Sequence, residues 1–168
     1  CADAKPLTFA TGVAIEAGTV GPHTSTPSGC VCGNQLCGND LFYAFTTTGD
    51  RKLTVSATGD GSWRPSVAVR PACDATPVTA CALAASPAAP AVTTTDILPA
   101  GDWLVQVGSP SGAGGPFDLQ VMLEDPAYAP VPNDLCANAI PLAAATLYSG
   151  DTRGAADDVS GTCGATDT

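Results

Sequence analysis

Positive charge is scarce in this chain. Lys and Arg total 6 against 16 Asp and Glu, leaving a net charge of -10 across 168 residues. No basic footprint exists for nucleic acid or for an anionic membrane surface, so neither is expected as a partner. Charge of either sign is sparse at 13%, whereas 45% of residues are hydrophobic. This is a globular composition with an uncharged polar surface, not a disordered one. Histidine occurs once, at His23 in the turn-like GPHTSTPSG. A Ser/His/Asp triad would have to be built there, yet no nucleophile-elbow sequence accompanies it. No apolar run approaches the ~20 residues of a membrane-spanning helix, so no membrane insertion is expected. No charged-plus-apolar leader opens the chain at Cys1, which reads as a mature or excised segment. Long helix-compatible stretches are missing too. The 18 Gly and 15 Pro are spread so evenly that the longest run free of both is Asn39 to Thr48, shorter than a mean helix of about 11–12 residues. An all-α fold is excluded.

What fills the gaps has period two. Leu53, Val55 and Ala57 alternate with Lys52, Thr54 and Ser56, and Phe117, Leu119, Val121 and Leu123 form a second such set. Both read as half-buried strands. Similar runs occur at Val13 to Thr19, Leu41 to Thr47, Ser66 to Arg70, Val92 to Leu98 and Trp103 to Val107, between turn clusters such as GDGS, SPAAP, PAGD and SPSGAGG. Short strands at this spacing, with no crossover helix, predict an all-β antiparallel sandwich of the jelly-roll or Greek-key kind.

Eight cysteines in a chain with so little charge predict a disulfide framework, hence an extracellular or cell-surface location. Zinc is the rival reading for Cys30-Val-Cys32 followed by Cys37, but a structural site usually repeats a C-x₂₋₄-C pair, and here only His23 is near enough to make up four ligands. No cofactor or metal is expected. Cys73 and Cys81 flank a Pro-containing stretch between two strand segments, and a local loop-closing disulfide is predicted there.

The chain repeats its own opening. Residues 1–7 read CADAKPL and residues 136–142 read CANAIPL. Each is followed by a Gly/Thr-containing segment and then a Ser-Gly cysteine cluster, PSGCVCG in the first copy and VSGTCG in the second. Cys136 therefore corresponds to Cys1, and Cys163 to Cys30 or Cys32. The expected pairing is Cys136 with Cys163 and Cys1 with Cys30 or Cys32, the remaining member joining Cys37. A lipid-bearing Cys1 would be the alternative, but Cys136 holds the same place deep inside the chain. Between the copies lies EDPAYAPVPND, a Pro-rich segment of the semi-rigid spacer type. The domain plan is a module over 1–124, a linker over 125–131 and the beginning of a second copy over 132–168.

PNDLCANAIPL, SGDTRGAADD, SGTCG, GNDLFYAF, RPSVAVRPAC…TAC and ILPAGDWLVQVGSPSGAGGPFDLQVML together resemble the successive signatures of bacterial pre-peptidase C-terminal (PPC) modules, in the version found in myxobacterial and related secreted proteins. The resemblance covers residues 1 to about 124 and the opening of the next module. It implies a non-catalytic, extracellular jelly-roll-like sandwich, repeated in surface proteins or attached to hydrolases, where it aids secretion, attachment or adhesion. The chain departs from relatives after Cys81, where ALAASPAAP stands in place of an acidic segment, so no calcium site is expected in that loop.

Trp63 and Arg64, in GDGSWRPS, are candidate contacts for a sugar or partner, since an aromatic beside a guanidinium suits both. Packing of Trp63 over the end of the sandwich is the plainer alternative. Asp40, Asp50, Asp60, Asp157 and Asp158 could supply oxygen ligands, but none has preformed calcium-loop spacing, and they read as solvated turn carboxylates. Thr46 to Thr48 and Thr93 to Thr95 read as strand-face residues. With no convergent acid, base or nucleophile, no enzyme is expected and no catalytic residue is assigned.

Two functions remain: a structural or adhesive repeat of a larger secreted protein, and an accessory module holding a hydrolase to an extracellular polymer. Residues 132–168 fall below the ~40 residues at which a core stands alone, yet carry apolar Ile140, Leu142, Leu147 and Tyr148. They are expected to dock on another copy of the chain by strand addition, head to tail, giving a filament.

Overall fold

The computed structural model describes residues 3–21, 39–73, 75, 78–110, 113–128, 141, 143–144, 147, 149–150 and 152–155. Contacts divide the chain into two units, residues 1–126 and 127–168. The first holds every strand found among the described residues: β1 (Lys5–Pro6), β2 (Val13–Thr19), β3 (Asp40–Thr47), β4 (Arg51–Gly59), β5 (Ser66–Arg70), β6 (Ala80–Leu83), β7 (Ala91–Leu98), β8 (Gly101–Gly108) and β9 (Pro116–Glu124). No helix of the described residues is long and apolar enough to cross a membrane.

The strands form two sheets, ordered β1-β3-β8-β5-β6 and β2-β9-β4-β7. All pairings are antiparallel except the short β1–β3 contact. β2 pairs with β9, β3 with β8, β4 with β7 and β5 with β6. The chain is thus one long hairpin, with β2 to β5 running out and β6 to β9 running back, rolled so that successive pairs fall in alternate sheets. That winding is the jelly roll. The tip of the hairpin is the segment between Arg70 and Ala80; Cys73 within it and Cys81 just after it on β6 are both disulfide-bonded. The other six cysteines lie outside the described residues.

The period-two pattern sorts side chains between core and surface. Leu53, Val55 and Ala57 are fully buried, as is Val121, and Leu119 is nearly so; they face Tyr43, Phe45, Val67, Val69, Val105 and Val107 of the other sheet. One departure occurs on β7. Arg51 pairs with Leu98 but Leu53 pairs with Thr95, so Asp96 and Ile97 together oppose Lys52. This β-bulge reverses the alternation. Ile97 is turned out at 42% exposure, while Leu98 enters the core.

Trp63 closes one end of the sandwich. It is 3% exposed, donates its indole N–H to the Pro116 carbonyl at 3.1 Å and meets the Phe117 ring edge-on, as does Tyr43. Glycines make the room. A Cβ at Gly115 would stand 2.9 Å from Trp63 Cδ1, and one at Gly59 would stand 3.2 Å from its Nε1. Gly115→Ala is therefore expected to displace the indole and cost roughly 1–3 kcal/mol. Ile15→Thr, at a site 72% exposed, should stay within about 0.5 kcal/mol of the parent. Urea melts followed by tryptophan fluorescence compare the two; equal midpoints would show that the glycine cradle is not needed.

Candidate functional site

The outer face of the five-stranded sheet carries a polar cluster. Strand register places Phe42 opposite Gln106 and Gln106 opposite Ala68, with Asp40, Gly108 and Ser66 in the next row on that face and Arg70 beside Leu104. A single exposed face would leave these residues wet. Instead Arg70 is 2% exposed, Gln106 1% and Asp40 4%. Arg70 donates from Nη1 to Gln106 Oε1 at 2.9 Å and from Nη2 to the Ala75 carbonyl at 3.1 Å. Its guanidinium thereby ties the hairpin tip to the sheet, and Val78 and Cys81 of that tip pack on Ala68.

Asp40 lies at the first position of β3. Burial pushes its carboxyl up to about 6 from the ordinary 3.8, against the downward pull of the Gln106 side chain and the Arg70 charge. Neither oxygen has a partner in full hydrogen-bonding geometry among the described residues. The expectation of a solvated turn carboxylate is therefore corrected for Asp40, because the covered outer face removes it from water. Asp60 does fit that expectation: it is exposed, and hydrogen bonds from the Ser62 hydroxyl and backbone N–H hold its carboxyl below the usual range. Asp50 is half-buried. One carboxyl, one guanidinium and one amide can orient a polar group, but the cluster holds no second carboxyl to complete an acid–base pair. Among the described residues no three His, Cys, Asp or Glu side chains stand close enough to share a metal ion.

A groove of about 710 Å³ lies beside β1 on the same outer face. Ala44 and Leu104 line it together with Ala4, Pro6 and Leu7, and its polar wall is Thr46, whose hydroxyl donates to Asp102 Oδ1 at 2.6 Å. Its size falls in the range of small-molecule sites.

The two predicted contact residues separate. Trp63 is in the core and offers no face to a ligand, so it is not the contact residue offered as a candidate but the packing residue over the end of the sandwich, the plainer of the two readings. Arg64 is exposed, yet donates from Nε and Nη2 to the Ala84 carbonyl at 3.0 and 2.7 Å. The remaining cations are also engaged. Lys5 pairs with Glu16, Arg51 with Asp125 and Lys52 with Glu124, and Arg153 lies 5.8 Å from the centre of the Tyr128 ring. All six Lys and Arg therefore make an internal contact, and only Arg70 among them is buried. Leu147 is 96% exposed. Ile140, Leu142, Tyr148, His23, Asp157, Asp158, Cys1, Cys30, Cys32, Cys37, Cys136 and Cys163 lie outside the described residues.

No family model matches the sequence, and no curated protein matches it. Among solved structures the chain is similar to the pre-peptidase C-terminal domain of a collagenase from Bacillus anthracis, at 12% identity and a TM-score of 0.49, over 71% of this chain and 94% of that one. It is also similar to PliG, a periplasmic inhibitor of g-type lysozyme from Aeromonas hydrophila, at 17% identity and a TM-score of 0.43, over 72% of this chain and 96% of that one.

The raised Asp40 carboxyl has a signed effect on stability. The folded state holds this proton more tightly than the unfolded chain, so the ionised form is penalised above pH 6 and the penalty is relieved as pH falls from about 7 towards 4. Asp40→Asn is expected to raise stability at pH 7.5 by roughly 1–3 kcal/mol and to lose the advantage near pH 4. Chemical melts at several pH values measure this; a mutant-to-parent difference that does not change with pH would refute it.

Proposed function

We propose that the chain is a non-catalytic structural or adhesive module of a larger secreted or surface protein, joined to further copies of itself. The observation carrying this reading is the repeat. CADAKPL leads into β1 of a complete sandwich, and CANAIPL opens a second segment behind a Pro-rich spacer. A module whose opening recurs along one chain acts as a bead in a string. The closed polar cluster supports the same reading, since Arg70 is spent on holding the hairpin tip. In this reading the module belongs to the PPC kind that its motifs resemble, and it lies outside the cytosol, where its cysteines oxidise. Cys73 and Cys81 are joined to each other, Cys136 to Cys163, and Cys1 to Cys30 or Cys32 with the remaining one on Cys37. Residues 132–168 dock on another copy head to tail, building an open filament.

A second reading, an accessory that holds a hydrolase to an extracellular polymer, is favoured by the groove beside β1. Sedimentation over a range of concentration tests the first reading. It predicts growing species, whereas a strictly monomeric chain would defeat the assembly. Two further outcomes are expected. Cys73→Ser with Cys81→Ser should cost about 2–3 kcal/mol, the loop being short, and peptide mapping without reduction should recover the two cysteines linked. Chelation of divalent metals should leave the melting midpoint in place; a drop of about 4 °C or more, near 1 kcal/mol for a domain of this size, would reveal a structural ion.

A further inference from the structure

The repeat acquires a definite partner once the first copy is placed in the sheet. β1 joins the β3 edge in parallel, Lys5 opposite Tyr43 and Pro6 opposite Ala44, and Leu7 donates its N–H to the Ala44 carbonyl at 2.8 Å. Both β1 residues are exposed. The strand is short: two register pairs, that hydrogen bond, the Lys5–Glu16 ion pair to the other sheet and the packing of Leu7 against the core hold it.

Comparison of the two copies shows which residues this edge selects. Ala4, Pro6 and Leu7 line the groove beside β3, and all three recur as Ala139, Pro141 and Leu142. Asp3 and Lys5 are exposed and do not line it; these two differ, as Asn138 and Ile140. Among the described residues of the first copy, those lining the groove are kept, and the two that change are exposed positions whose side chains lie outside it.

We infer that residues 139–142 are a second ligand for this edge, and that in a pair of copies they replace β1 on the partner's β3, with Ile140 opposite Tyr43 and Pro141 opposite Ala44. This rests on the head-to-tail reading above and gives it an acceptor. Leu142 takes over the hydrogen bond to the Ala44 carbonyl; Pro141, like Pro6, has no N–H to lose. Ile140 cannot replace Lys5 at Glu16, a loss of one exposed ion pair, which is small; the larger advantage of the resident β1 is its tether, which gives it a high effective concentration at β3. Replacement of a short edge strand by a related segment of a second copy is strand addition at a sheet edge.

The test uses the full chain and a labelled peptide of residues 134–144 with Cys136→Ser, followed by fluorescence anisotropy. The peptide should bind the parent chain. It should bind about fivefold tighter to a Lys5→Glu chain, in which β1 is repelled by Glu16, and a Leu142→Asp peptide should not bind. Absence of binding to both chains overturns the inference, as does equal affinity for both, which would place the peptide elsewhere. Sedimentation separates this from the wider reading. Association of the chain without peptide binding rejects the β3 acceptor and leaves assembly standing through another surface. Peptide binding by a chain that stays monomeric upholds the acceptor and rejects the filament.

Discussion

Everything in the first unit depends on the antiparallel pairing of the two halves of one hairpin. Each outgoing strand meets its returning counterpart, from β5 with β6 at the tip to β2 with β9 at the open end. The tip is therefore the point from which register is counted. It carries two disulfide-bonded cysteines and the carbonyl of Ala75 held by Arg70. A slip of one residue there would turn Leu53, Val55 and Val121 from core to surface. Burial of the Arg70 guanidinium is costly in isolation and tolerable here because Gln106 and a carbonyl share its protons. Such a group fixes one arrangement of the tip over others.

At the other end the constraint is steric. Trp63 fits against Phe117 because Gly59 and Gly115 leave no Cβ in its way, and Gly18 does the same for the rings of Tyr43 and Phe117. The loops crossing this end are rich in glycine for packing as much as for turning. The bulge in β7 plays a comparable part at the sheet edge, where it brings Leu98 inward and bends the free side of the strand.

Much of this architecture was legible in the sequence. The alternation in Leu53, Val55 and Ala57 and in Phe117, Leu119 and Val121 locates two neighbouring strands of the four-stranded sheet, and the runs at 13–19 and 66–70 coincide with β2 and β5. β1 and β6 escaped notice because two and four residues are too few to show a period. The bulge at Asp96 and Ile97 was hidden because an extra residue shifts a pattern without erasing it. The polar cluster was the least visible part. Alternation assigns Asp40, Arg70 and Gln106 to an outer face, and nothing local in the sequence announces that this face is covered. Trp63 drew attention through its turn-like surroundings, which proved to be the cradle for its burial.

The wound hairpin also sets an order in time. Contacts between β5 and β6 close a short loop, whereas Val13 must find Met122 across nearly the whole module. Chain entropy makes each outer pairing dearer than the one inside it, and a topology dominated by such distant partners folds on the millisecond-to-second scale. β2 is made before β9 and has no partner until β9 has followed. A ribosome partway along the module therefore holds a polymer that cannot yet roll up, and the sandwich closes only after its last strand has emerged.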